Sequence, residues 1–153
     1  MSPNPLQQLR LQASRKQNHR CYYCEFPMWH EDSAAFLRAY SWISARHVHH
    51  LKCTAEHLVA CQDGGRTSAD NIAAACSWCN SMRHRYRPDK APEAAKYKKQ
   101  VMRLVPLGRW HPVASRMYSS QKNGVSQRVC DAETVHFRLL VDRETAGRSS
   151  LAP

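Results

Sequence analysis

The chain has 153 residues, 42% of them apolar, with a formal net charge of +11 at pH 7 and a pI of about 9.7. That length suits one domain of ordinary size, and the modest apolar share allows a small core that a structural metal would help to hold. The positive surplus favours an anionic partner, nucleic acid first, and the lack of any bilayer-length apolar stretch or signal-peptide core predicts a cytoplasmic setting with no membrane partner.

In chain order, Leu6, Leu9 and Ala13 fall at i, i+3 and i+7 and predict an amphipathic helix over 6–16, within an N-terminal helical arm over 1–20. Cys21-x-x-Cys24 follows, two thiols that a tight turn brings to one ion. Residues 32–40 read as a helix capped by Asp32 or Ser33, with Phe36, Leu37 and Tyr40 as its apolar face. Ser44 opens a second helix to about Leu51 that carries His47, His49 and His50, read as surface or phosphate-contacting residues rather than ligands. Residues 53–60 and 71–76 read as two strands joined through the turn Gln62, Asp63, Gly64 and Gly65, a β-hairpin. A helix is expected over 80–86 and another over 91–105, the latter with Pro92 in its first turn, Pro106 after its end and a stripe of Tyr97, Val101 and Leu104. Residues 107–127 read as irregular, 134–139 as a strand or part of a helix, and the last ten residues as a tail.

Four of the 7 cysteines form two C-x-x-C pairs, Cys21 with Cys24 and Cys76 with Cys79, which points to metal rather than disulfides. Four thiolates leave no open position, so a zinc ion there is structural. Cys53, Cys61 and Cys130 are left over, with Cys53 or Cys61 as weaker alternative ligands. A second group lies close by. Glu56 and His57 are neighbours on a strand, and their side chains diverge unless the strand ends or bends there. Asn80 opens the helix after the second pair, and His84 stands four residues on, on the same helical face. Oxygens from Glu56 and Asn80, with a nitrogen from His84, would hold one divalent ion and leave positions for phosphate and water. That suits Mg²⁺, while a histidine ligand favours Mn²⁺, Ni²⁺ or Zn²⁺.

The order Glu56-His57, Gly64-Gly65, Asn71 and Cys76-x-x-Cys79-Asn80 resembles the HNH endonuclease family, with its ββα-metal fold, over roughly residues 21–85. The resemblance implies an α+β chain whose small ββα-metal core, bearing a four-cysteine zinc site, is flanked by helices. The core is expected over 21–88, and a basic helix with an irregular extension over 89–153. It makes His57 the general base, Glu56 and Asn80 metal ligands, His84 a ligand found in some branches, and Asn71 the residue that orients loop and base. The family more often has Asp where Glu56 stands, and Ala60 replaces a frequent proline. The implied reaction is Mg²⁺-dependent hydrolysis of DNA phosphodiesters, nicking or cutting both strands, leaving 5′-phosphate and 3′-hydroxyl ends. A homodimer is one way to cut both strands. Arg83, Arg85 and Arg87 follow the site and are expected to grip flanking phosphates.

Taken singly, each residue has a plainer role: a hydrogen-bonded histidine, a surface acid, a turn asparagine, a helix cap. Two further functions compete with the nuclease. A non-catalytic zinc module that binds nucleic acid needs the cysteines and the charge but not His57. A zinc-held protein adaptor needs only the cysteines.

Overall fold

Two short strands lie at the centre of the architecture, β1 (Cys53–His57) and β2 (Ile72–Cys76), paired antiparallel with Cys53 opposite Cys76 and His57 opposite Ile72. A computed structural model describes residues 4–85 and 90–114, all within one unit, Met1–Tyr118. The fold is α+β: this two-stranded sheet with helices packed around it. Among the described residues no helix is long and apolar enough to cross a membrane.

Helix α1 (Pro5–Lys16) begins where the Asn4 side chain accepts the Gln7 N–H at 2.8 Å, and it ends with Arg15 and Lys16 at the negative end of its dipole. It is not a separate arm. Ala13 and Ser14 are buried, and the Gln17 side chain behaves as an extra strand residue, donating to Ala74 O at 2.8 Å and accepting from Ala74 N at 3.0 Å. The chain reverses through left-handed Asn18 and His19, enters the first cysteine turn, and forms a bridge between Arg20 and Pro27. Helix α2 (Ser33–Ala39) is capped by Asp32, which accepts from the Ala34 and Ala35 N–H groups at 2.9 Å each. The next helix, Ala45–Leu51, is a 3-10 helix, and Ser44 stands at its N-cap without a side-chain capping bond.

Every residue of β2 is buried. Its run of three alanines fits that position, because small side chains let α1 approach the hairpin closely. Helix α3 (Ser77–His84) follows β2 with no intervening residue, and the Cys76 sulfur is its N-cap, accepting from the Cys79 N–H at 3.4 Å. This corrects the expected start at Asn80: the second cysteine pair is the first turn of the helix, so Asn80 lies inside it. Helix α4 (Ala94–Leu104) is capped by Glu93, two residues later than expected from Pro92, and buries Tyr97 and Val101. The segment after α4 returns to the core, where Val113 and Ala114 are buried. The expected strand or helix near 134–139 lies outside the described residues.

Candidate metal centre and adjoining cleft

The two cysteine pairs meet because the turn after α1 faces the end of β2. All four sulfurs are buried and lie within 4.8 Å of one another, with Cys24 Sγ 3.9 Å from Cys76 Sγ. Sulfurs about 2.3 Å from a tetrahedral zinc stand about 3.8 Å apart, so the cluster can hold a metal such as zinc. Sulfurs this close compete for negative charge. Burial alone would raise the Cys21 thiol, but hydrogen bonds from Cys24, Cys76 and Cys79 outweigh it and hold Cys21 well below the usual thiol value. Burial, with Cys21 adding to it, pushes Cys24 and Cys76 well above that value. A divalent cation held among the four sulfurs would relieve this competition.

Further groups close the cluster from outside. The Cys76 N–H donates to Cys21 Sγ at 3.3 Å, and Trp110 Nε1–H donates to Cys79 Sγ at 3.2 Å. His111 Nε2 lies 3.7 Å from Cys76 Sγ, and burial lowers this imidazole to about 3, which keeps it neutral. Tyr97 donates its hydroxyl proton to Cys79 O at 2.9 Å. Cys53 is buried outside the cluster and Cys61 is exposed, so neither replaces one of the four; Cys130 lies outside the described residues. His47, His49 and His50 pack on one another and, among the described residues, join no metal-ligating group of three.

Beside the cluster is a cleft of about 250 Å³ whose lining includes Glu56, His57, Cys61, Asn80 and His84. Strand β1 ends at His57, and this termination lets neighbours with divergent side chains line one cleft. Glu56 is only 1% exposed. Its Oε1 accepts from Tyr23 Oη–H at 2.9 Å and from Arg83 Nη1–H at 2.5 Å, while its Oε2 faces His84 Nε2 at 3.4 Å. Burial first, then the Glu56 carboxylate, push the Tyr23 phenol far upward, so it remains a proton donor. Asn80 uses its amide nitrogen on Thr54 Oγ1 at 3.0 Å and Ala55 O at 3.1 Å, so the oxygen is the end of the amide that could accept. His57 Nε2 is 3.1 Å from Thr67 Oγ1.

Arg83 corrects the sequence-based expectation. It is 3% exposed, and its five N–H groups are all used: on Glu56 Oε1, on the carbonyls of His57 and Leu58, and twice on Pro92 O. No donor is left for a phosphate. Arg85 is exposed at the end of α3, and Arg87 lies outside the described residues.

The hairpin loop is locked by Asn71. Its Oδ1 accepts from Val59 N at 2.8 Å, and its Nδ2 donates to Val59 O at 3.0 Å and Arg66 O at 2.8 Å. Gly65 permits this: a Cβ there would sit 1.7 Å from Val59 O and 2.9 Å from Asn71 Nδ2. Gly64, at φ +85°, makes the turn itself. A second, larger cleft of about 570 Å³ shares His84 and is lined also by His49, His50, Trp78, Met82 and Arg85.

Several of these residues carry no sequence signal of their role. Tyr23 and Thr67 meet Glu56 and His57 only through the fold, and Trp110-His111 stands in a stretch that reads as irregular. Only Arg83 had a local hint, three residues after Asn80 on the same helix. No family model, curated protein or solved structure matches the chain.

Proposed function

We propose that the chain is a metal-dependent endonuclease of the HNH type, hydrolysing DNA phosphodiester bonds in the cleft beside the four-cysteine cluster. The supporting observation is that Glu56, His57, Asn80 and His84 line one cleft, on a hairpin and helix joined directly to the cysteines. The donor set fits a divalent ion. Neighbouring ligands at about 2.1 Å from an octahedral cation stand about 3 Å apart, and Glu56 Oε2 and His84 Nε2 are 3.4 Å apart. Asn80, which lines the same cleft, would supply the third ligand through Oδ1, and the imidazole makes Mn²⁺ as good a candidate as Mg²⁺.

His57 is the general base. With its Nε2–H donating to Thr67 Oγ1, Nδ1 takes a proton from water, and the resulting hydroxide attacks phosphorus in line with the 3′ oxygen. The P–O3′ bond breaks, leaving a 5′-phosphate and a 3′ oxyanion that collects a proton from solvent. A divalent ion, when bound, supplies charge stabilisation to the phosphate and the leaving oxygen. Asn71 keeps the loop, and with it His57, in register. Cys21, Cys24, Cys76 and Cys79 would hold a zinc ion in a structural role, since four sulfurs would leave it no open position.

The wider cleft is the path for the flanking strand: His49, His50, His84 and Arg85 line it, and no carboxylate does. Replacing Arg85 by alanine is expected to weaken duplex binding and to lower the magnitude of its salt slope by about 1, read from affinities over a range of salt. An unchanged slope removes Arg85 from the interface.

One observation favours the second function, a zinc-containing nucleic-acid-binding module without catalysis. Arg83 holds a positive charge against Glu56 Oε1, which weakens the pull of that carboxylate on a cation. Supercoiled plasmid separates the two. The nuclease nicks it with Mg²⁺ or Mn²⁺ and not with chelator, whereas the binding module retards it unchanged while zinc stays bound.

A further inference from the structure

We propose that Tyr23 is a positioning residue that makes Glu56 a one-oxygen metal ligand, tying the geometry of the cleft to the cysteine turn. This deepens the nuclease reading and rests on it. Tyr23 stands between Cys21 and Cys24, so its backbone is set by the turn that brings those sulfurs to the cluster. Its side chain is wholly buried. The ring meets Tyr97 edge-on at 4.9 Å between centroids, and Tyr97 is itself bonded to Cys79 O. From that seat the phenol reaches Glu56 Oε1 at 2.9 Å, across 33 residues of sequence.

The two carboxylate oxygens are thereby made unequal. Oε1 accepts from Tyr23 and Arg83, which fills both of its lone pairs. Oε2 faces His84 and the cleft. A glutamate with both oxygens free can chelate an ion through two atoms or swing on its extra methylene. Here Tyr23 forbids the first and restrains the second, leaving Oε2 as the ligand atom. Arg83 shares the oxygen but also carries three backbone carbonyls, so its loss disturbs the end of β1 as well. Among the described residues the Tyr23 hydroxyl has one hydrogen-bond partner, Glu56, so its effect can be isolated.

The test is Mn²⁺ affinity, followed by the electron paramagnetic resonance of the free ion, on the zinc-loaded full chain. The proteins compared are wild type, Tyr23→Phe and Glu56→Gln, with zinc content and a thermal melt measured on each. Wild type is expected to show a saturable Mn²⁺ site that Glu56→Gln removes. Tyr23→Phe is expected to keep its zinc and a cooperative melt while its Mn²⁺ dissociation constant rises about 10- to 100-fold, the usual cost of losing an outer-shell partner. A Tyr23→Phe protein that binds Mn²⁺ as wild type does overturns the role of Tyr23 and leaves the nuclease reading standing. A wild type with no Mn²⁺ site at Glu56 overturns both.

Discussion

Replacing Cys79 by serine is expected to abolish zinc binding and to unfold the elements packed around the two strands. Two strands of five residues each make a sheet that is marginal without support, and the buried set around it is rich in alanine and cysteine. The cluster joins the turn after α1, the end of β2 and the start of α3. It also anchors the later segment, through Trp110 on Cys79 Sγ and His111 on Cys76 Sγ. Structural zinc contributes roughly 10–16 kcal/mol in small domains, as much as or more than the whole stability of an ordinary domain, about 5–15 kcal/mol. Serine offers a poorer ligand in a site with no spare cysteine among the described residues, since Cys53 and Cys61 lie outside the cluster. Zinc content and far-UV circular dichroism check this, and a strong zinc chelator should reproduce the result on wild type. A Cys79→Ser protein with the wild-type melt would show that the four sulfurs are only a buried apolar cluster.

Arg83→Met is expected to cost about 3–5 kcal/mol while leaving zinc bound, because it strands a buried carboxylate. The ion pair of Arg83 with Glu56 is almost fully desolvated, so solvent does not take over when the guanidinium is removed. The carbonyls of His57, Leu58 and Pro92 lose their donor as well. In a unit of this size the melting temperature should fall by roughly 15 °C or more. Adding Glu56→Leu to Arg83→Met should recover part of the loss, since the unpaired charge is then gone. A single variant that melts within a few degrees of wild type would mean that Arg83 is a surface charge after all, free for DNA.

How far the sequence revealed the molecule follows from how local each feature is. The cysteine cluster was legible because each C-x-x-C pair is a contiguous motif, and the hairpin because Gly64, Gly65 and the two apolar runs bracket one turn. The start of α3 was not, because a cysteine pair in a turn and one in a first helical turn share the same spacing. The Cys76 cap decides between them. The burial of Arg83 is hidden in the sequence because Arg83, Arg85 and Arg87 look like one basic run. On a helix, positions two apart are turned by about 200°, so Arg83 points into the core when Arg85 faces solvent. The helix ending at Leu51 was expected, but 3-10 and α geometry share the same apolar pattern over so short a span. Tyr23 on Glu56, Gln17 on Ala74 and Trp110 on Cys79 join residues 31 or more apart, and no local pattern marks them.

The proposed nuclease needs His57 to activate water in the cleft beside the cysteines, and that role is open to experiment. It is tested most directly by the rate of plasmid nicking in Mn²⁺ for wild type and His57→Ala, matched for zinc content and for DNA affinity. Wild type should relax supercoiled plasmid with chelator-sensitive kinetics, and His57→Ala should be slower by about 10²- to 10⁴-fold, the usual contribution of a positioned base. Equal rates in the two proteins, or no nicking by the zinc-loaded wild type, would contradict it.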